Sequence, residues 1–189
     1  MVENEDQKDK HFPLLAFDNP IRRLFSRPRK YCSYVIRDQI AADLGCGPGY
    51  YTLALAERVG PSGKVYAVDS DEKAIRAVER KVNKGRYHNI ETHITSAANL
   101  SFIEDESVDF VLAAGLLCSM APADHQSAVR EIKRILKSGA RAFLKVAKGS
   151  ISYVDRPEWE TILEGFEVER RNYDSFLRDR WALVSNKQI

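Results

Sequence analysis

The stretch Asp43-Leu44-Gly45-Cys46-Gly47-Pro48-Gly49 decides how this chain is read. It follows a short apolar run, Ile40 to Leu44, predicted as a strand. It precedes a segment from Tyr50 to about Arg58, predicted as a helix with Leu53, Ala54 and Ala56 on its buried side. Closely spaced glycines let the backbone turn sharply and leave bare main chain for a ligand to lie against. The helix that follows presents N–H groups at its start. A dinucleotide turn has the spacing G-x-G-x-x-G and holds a pyrophosphate at that helix end. Here the spacing is G-x-G-x-G, with Asp43 beside it. A carboxylate there repels a pyrophosphate and attracts an ammonium group, so the turn points to a zwitterionic or cationic ligand. The alternative is a strand-to-helix turn that holds nothing, for which so many glycines are more than the geometry needs.

The turn Gly60-Pro61-Ser62-Gly63 stops that helix, and Lys64 to Val68 reads as a second strand. Asp69 follows it, 20 residues after Gly49. An acid at that distance from a glycine turn accepts the hydroxyls of a ribose. The alternative is that Asp69 only caps the helix beginning near Asp71.

The pattern continues rhythmically. Asp71 to about Asn83 reads as a helix on Ala74, Ile75, Val78 and Val82. Ile90 to Thr95 and Val108 to Ala113 read as strands. Pro122 to Leu136 reads as a helix with Val129, Ile132, Ile135 and Leu136 inward, ended by Ser138-Gly139. A fifth strand, Ala140 to Val146, and a short helix near Pro157 to Leu163 follow. Two last strands, near Phe166 to Arg171 and Trp181 to Ser185, lie close enough in sequence to pair as a hairpin. Strands alternating with helices imply a mostly parallel sheet covered on both faces, with ligands beyond the carboxyl ends of its strands.

Composition narrows the class. The 189 residues suit one domain, and 44% hydrophobic with 30% charged residues is ordinary for a folded chain. A net charge of +2 gives no global argument for nucleic acid or an anionic membrane. Cys32, Cys46 and Cys118 are odd in number and widely spaced, so neither a disulfide framework nor a structural zinc site is supported, and no other metal site is indicated. The first ten residues lack the apolar core of a signal peptide, and no stretch is long and apolar enough to span a membrane. The expected location is cytoplasmic. Residues 1–10 are expected to be a disordered tail and 11–189 a single domain, with 11–37 forming an N-terminal helical segment or lid.

The strings DLGCGPG and KVYAVD, and later NIETHITSAANLSFIEDESVDFVLAAGLL and AVREIKRILKSGARAFLKV, resemble the class I S-adenosylmethionine-dependent methyltransferases. The resemblance spans about Ala41 to Ala147 and is nearest to the small-molecule branch that includes ubiquinone and menaquinone biosynthesis. It implies a Rossmann-like α/β fold: a seven-stranded, mostly parallel sheet with one antiparallel strand and helices on both faces. It implies S-adenosyl-L-methionine as cofactor. Gly45, Cys46, Gly47 and Gly49 would lie along its methionine part, with Asp43 near the amino group. Asp69 would hold the ribose, with Ser70 beside the adenine. Ser96 and Ala97 would flank the adenine. Ala114 and Gly115 would border the methyl group. Many relatives carry an acid where this chain has Ser96, whose hydroxyl accepts more weakly.

The acceptor is not legible in these residues, and no catalytic residue is assigned. A small molecule is favoured. The cluster Arg22, Arg23, Arg27, Arg29 and Lys30 offers an anion or nucleic acid a footing, or is a solvated face. Cys118 either borders the methyl site or packs, and His125 is either a base or a surface residue. Tyr31 and Tyr34 either form a lid or anchor the segment by packing. A homodimer would be one way to complete the pocket. Two other functions stay open: a non-catalytic S-adenosylmethionine-binding subunit, and an NAD(P)-dependent oxidoreductase. The glycine spacing, Asp43 and the absence of a Tyr-x-x-x-Lys pair count against the last.

Overall fold

A computed structural model describes residues 31–85, 87–147, 154–172 and 179–186. The tail, most of the N-terminal segment and the basic cluster from Arg22 to Lys30 lie outside the described residues. The chain enters through a short 3-10 turn, Cys32–Tyr34. It continues through β1 (Ile40–Leu44), α1 (Thr52–Val59), β2 (Lys64–Asp69), α2 (Glu72–Gly85), β3 (Ile90–Ile94) and β4 (Val108–Ala114). A 3-10 turn, Pro122–Asp124, opens α3 (His125–Ile135). Then come β5 (Leu136–Ala147), α4 (Arg156–Glu164), β6 (Glu167–Arg171) and β7 (Asp179–Ser185).

One seven-stranded sheet results, in the order β3-β2-β1-β4-β5-β7-β6. β7 runs antiparallel to both of its neighbours, and the other pairings are parallel. The sheet is thus the Rossmann-like one that the strand and helix rhythm predicts, with β6 and β7 paired as expected. The chain winds outward from β1 to β3 in one direction and from β4 onward in the other. The strand order therefore reverses between β1 and β4, where a ligand crevice opens in such sheets.

Strand residues two apart share a face, and the two faces are covered differently. On one, Ala41, Phe110, Leu112, Phe143 and Leu183 meet Leu55, Ala56 and Val59 of α1, together with Cys32 and Val35. α2 extends this cover through Ile75 and Val78 against Ala67. On the other face, Leu44, Val111, Ala113, Leu144 and Val184 meet α3 and α4. Burial of these side chains is the main stabilising term, at about 1.5–3 kcal/mol for each large apolar group fully removed from water.

Three details depart from the sequence reading. The buried side of α1 is Thr52, Leu55, Ala56 and Val59, whereas Leu53 and Ala54 are only half-buried. α3 ends at Ile135, where Leu136 turns to φ −70° and ψ 130° and enters β5 directly. Ser138-Gly139 therefore does not stop the helix. It lies in an irregular stretch of β5, between the pairs Val108↔Leu136 and Phe110↔Arg141. Asn186 holds this junction together. Its side-chain amide donates to the Lys133 and Leu136 carbonyls at 3.1 and 3.0 Å.

The Gly60 to Gly63 turn behaves as read. Gly60 caps α1 with φ 73°, in the left-handed region, and its N–H bonds the Ala56 carbonyl. A Cβ on Gly63 would stand 2.5 Å from Val59 Cβ and 2.7 Å from the Gln39 carbonyl oxygen. Neither the backbone nor a core valine can yield easily. Gly63→Ala is expected to destabilise the chain by about 2 kcal/mol, lowering the thermal midpoint by roughly 4–8 °C. Thermal unfolding followed by circular dichroism checks this.

Candidate functional site at the carboxyl ends of β1, β2 and β4

The turn after β1 is tied to the end of β2. The Gly45 and Cys46 N–H groups both bond the Val68 carbonyl, at 2.8 and 3.0 Å. Asp69, the last residue of β2, accepts the Gly47 N–H at 2.8 Å on Oδ2 and the Asp71 N–H at 2.9 Å on Oδ1. It therefore braces the glycine turn and turns the chain into α2, while its carboxylate stays partly exposed. The capping alternative holds to this extent.

The glycines divide into two kinds. Gly45, Gly47 and Gly49 all have φ in the left-handed region, at 70°, 51° and 82°. A Cβ on Gly45 would press on Leu116 at 3.1 Å, and one on Gly49 on Val78 at 3.0 Å. These two allow close packing. A Cβ on Gly47, or on Gly115 just past β4 with φ 98°, would meet nothing within 4 Å. Gly47 and Gly115 thus open onto free space from the two strands that flank the reversal. Ala114 is half-buried beside Gly115, whose N–H is fixed by the Lys145 carbonyl at 2.9 Å.

Asp43 is 1% exposed and accepts the Thr52 hydroxyl at 2.6 Å. Burial pushes its carboxyl up to about 7; the Thr52 hydrogen bond opposes the rise and the nearby Asp69 charge adds to it. Asp43 thus sits under the turn, and an ammonium above it would feel its charge rather than touch an open carboxylate. Cys46 is buried, and burial first, then Asp43 and Asp69, hold its thiol well above the usual range. Burial likewise pushes the Cys32 thiol up to about 12. Both remain thiols without nucleophilic character.

Beyond β3, Ser96 and Ala97 begin the wall on the far side of Asp69. The Asp69 carbonyl receives the Thr95 N–H at 3.1 Å, and the Ser96 hydroxyl accepts the Ala98 N–H at 3.2 Å. Ser70 is exposed at the rim. The segment is pinned from behind by Arg134. Its guanidinium donates to the Leu100 and Ile103 carbonyls, both at 2.8 Å, and to Asp105 and Glu131. Glu131 in turn accepts the Leu100 N–H at 2.7 Å.

The remaining candidates sort clearly. Cys118 is buried in the core and its thiol points to the Gly115 carbonyl at 3.2 Å, so it packs behind the β4 turn. Tyr31 and Tyr34 stack on Phe143 at 4.6 and 6.1 Å and serve as packing anchors. Tyr51 enters the core, with Tyr50 half-buried against it. His125, read as a surface residue or base, is fully buried at the start of α3. Its Nδ1 meets Glu158 of α4 at 3.0 Å, and its Nε2 has no partner among the described residues. The sequence reading also missed Thr52 under Asp43 and Lys145 beside Gly115. Both lie in ordinary helix and strand patterns that carry no local signal.

Comparison with known proteins fits this geometry. The family described as "Methyltransferase domain" matches residues 41–139. The demethylmenaquinone methyltransferase of Geobacillus stearothermophilus is 37% identical over 99 residues, 52% of this chain and 41% of that protein. The protein of the same name from Listeria welshimeri is 29% identical over 124 residues, 66% of this chain and 50% of that protein. The chain thus matches half or less of the length of these curated relatives. Among solved structures, a SAM-dependent methyltransferase from Aquifex aeolicus superposes with a TM-score of 0.75 at 24% identity, covering 93% of this chain and all of that one. The [4+2]-cyclase SpnF shares the fold with a TM-score of 0.69 at 15% identity, over 88% of this chain and 80% of that one. By that match over residues 41–139, more than half of its length, the chain belongs to the methyltransferase-domain family.

Proposed function

We propose that this chain binds S-adenosylmethionine across the β1–β4 reversal and transfers its methyl group to a small-molecule acceptor. The observation that carries the reading is the open space before Gly47 and Gly115, with the Asp69 carboxylate on one side and the Asp43 charge beneath. Those residues fit a cationic amino acid joined to a ribose. Asp69 would hold the ribose hydroxyls, Gly45 to Gly49 would line the methionine part, and Ala114 with Gly115 would border the methyl. Ser70, Ser96 and Ala97 would flank the adenine. When bound, S-adenosylmethionine supplies an electrophilic methyl on a sulfonium. The chain's own work is then alignment and exclusion of water, which is worth up to roughly 7–11 kcal/mol in favourable cases. No dedicated base is required where the acceptor atom is already nucleophilic.

The finer reading is a hydroxylated aromatic acceptor of the quinol type. It is supported by the names of the relatives and by the aromatic residues on the α1 face next to Gly115. Among the described residues no helix is long and apolar enough to cross a membrane. The SpnF likeness keeps a second reading in view, since the same fold serves a cyclisation. Calorimetric titration with S-adenosylmethionine, S-adenosylhomocysteine and NADH tests the proposal. The first two are expected to bind and NADH not to; the reverse would assign the site to a nicotinamide cofactor.

A further inference from the structure

We infer that Lys145, held by Asp179 and Tyr31, is the group that orients the acceptor by binding its negatively charged oxygen. The inference rests on the methyl-transfer reading above and names the residue that selects the substrate.

The argument begins with register. Asp43 pairs with Leu112, and two residues on stand Gly45 and Ala114. Ala114 pairs with Lys145, and Lys145 pairs with Trp181. Ala114, Lys145 and Trp181 therefore lie in one row across the carboxyl end of the sheet, one strand from Gly45, which follows β1. They share the face of Leu112, Phe143 and Leu183, the face that α1 covers. Neighbouring strands are about 4.8 Å apart, so Lys145 is one strand removed from Ala114, where the methyl group would arrive.

A lysine in that row needs explaining. Its side chain is 25% exposed and its ammonium lies 3.0 Å from the Asp179 carboxylate, itself 18% exposed. The ammonium also stands 5.4 Å from the centre of the Tyr31 ring, within cation–π range. Tyr31 stacks on Phe143, and Phe143 on Trp181 at 5.7 Å. An ammonium has three donors, and among the described residues one carboxylate and one ring face engage it, which leaves donor capacity for a ligand. Asp179 has a second effect. A bare cation would repel a sulfonium held at Gly45 and Ala114, whereas the Lys145–Asp179 pair is neutral. When an anionic oxygen arrives, Lys145 donates to it and to Asp179 together, and the half-buried Tyr31 and Trp181 offer a surface for the attached ring. The acceptor this favours is a planar aromatic whose hydroxyl is ionised.

The test uses 2-hydroxy-1,4-naphthoquinone, an anion at neutral pH, and its neutral ether 2-methoxy-1,4-naphthoquinone. Each is titrated into the full chain saturated with S-adenosylhomocysteine. The wild type is expected to bind the anion at least tenfold more tightly than the ether. Lys145→Met is expected to reduce that preference below threefold, with S-adenosylhomocysteine affinity kept. Lys145→Arg is expected to restore most of the preference. A wild type that binds both probes equally, or neither while still binding S-adenosylhomocysteine, overturns the assignment. So does a Lys145→Met variant that still prefers the anion. Failure of the wild type to bind S-adenosylhomocysteine overturns the cofactor reading and this one with it.

Discussion

Asp69→Ala is expected to bind S-adenosylhomocysteine roughly 10- to 150-fold more weakly than the wild type. The carboxylate is the proposed acceptor for the ribose hydroxyls, and a hydrogen bond to a charged group contributes about 1.5–3 kcal/mol. The same side chain holds the Gly47 and Asp71 N–H groups, so its removal also loosens the turn proposed to line the methionine part. Asp69→Asn separates the two effects. Its single oxygen can keep one backbone bond but cannot keep both, and it has no charge. Calorimetry on the two variants should rank them wild type, Asn, Ala. Unchanged affinity in Asp69→Ala would refute the ribose assignment.

Asp43 gives the second large effect, on pH dependence. Its carboxyl is raised by burial from an ordinary 3.8 to about 7 in the folded chain. Between those values the folded chain keeps a proton that the unfolded chain has lost. The stabilisation is therefore complete below about pH 4 and is lost as pH rises through about 7. The shift corresponds to a loss on the order of 4 kcal/mol between the two limits. Denaturant unfolding at pH 5 and pH 8 should show the fall, and Asp43→Asn should flatten it. Ligand binding should run the other way. An ammonium above the turn favours the ionised carboxylate, so S-adenosylhomocysteine should bind more tightly at pH 8 than at pH 6 and release a proton at the lower pH. Asp43→Asn should bind it more weakly at pH 8, with little difference between the two conditions.

Local signals carried the strands, the helices and their order. A short apolar run marked β1, helical spacing marked α2 and α3, and the Gly60 turn marked the end of α1. The glycine turn and Asp69 were legible because a sharp turn and a carboxylate 20 residues later are both properties of sequence spacing. The misreadings share one cause. Ser138-Gly139 has the composition of a helix stop, yet Leu136 had already turned into β5 to pair with Val108. His125 reads as a polar residue at an exposed helix start, but α4 packs over it and supplies Glu158. Lys145 reads as a charged residue in a strand, and only the row formed with Ala114 and Trp181 shows where it stands. Each depends on a partner distant in sequence or in another strand.

The Arg134 clasp behind the Ser96 segment has a consequence for selectivity. Two carbonyls, Leu100 and Ile103, and two acids, Asp105 and Glu131, converge on one planar cation that belongs to a core helix. The stretch from Leu100 to Asp105 is held from several sides and gives the Ser96 segment that precedes it a fixed base. An adenine modified on the edge that faces Ser96 and Ala97 would meet a fixed boundary, and the misfit would appear as lost affinity rather than as a rearranged loop. On the proposed cofactor placement, discrimination among nucleosides at this wall is expected to be steric.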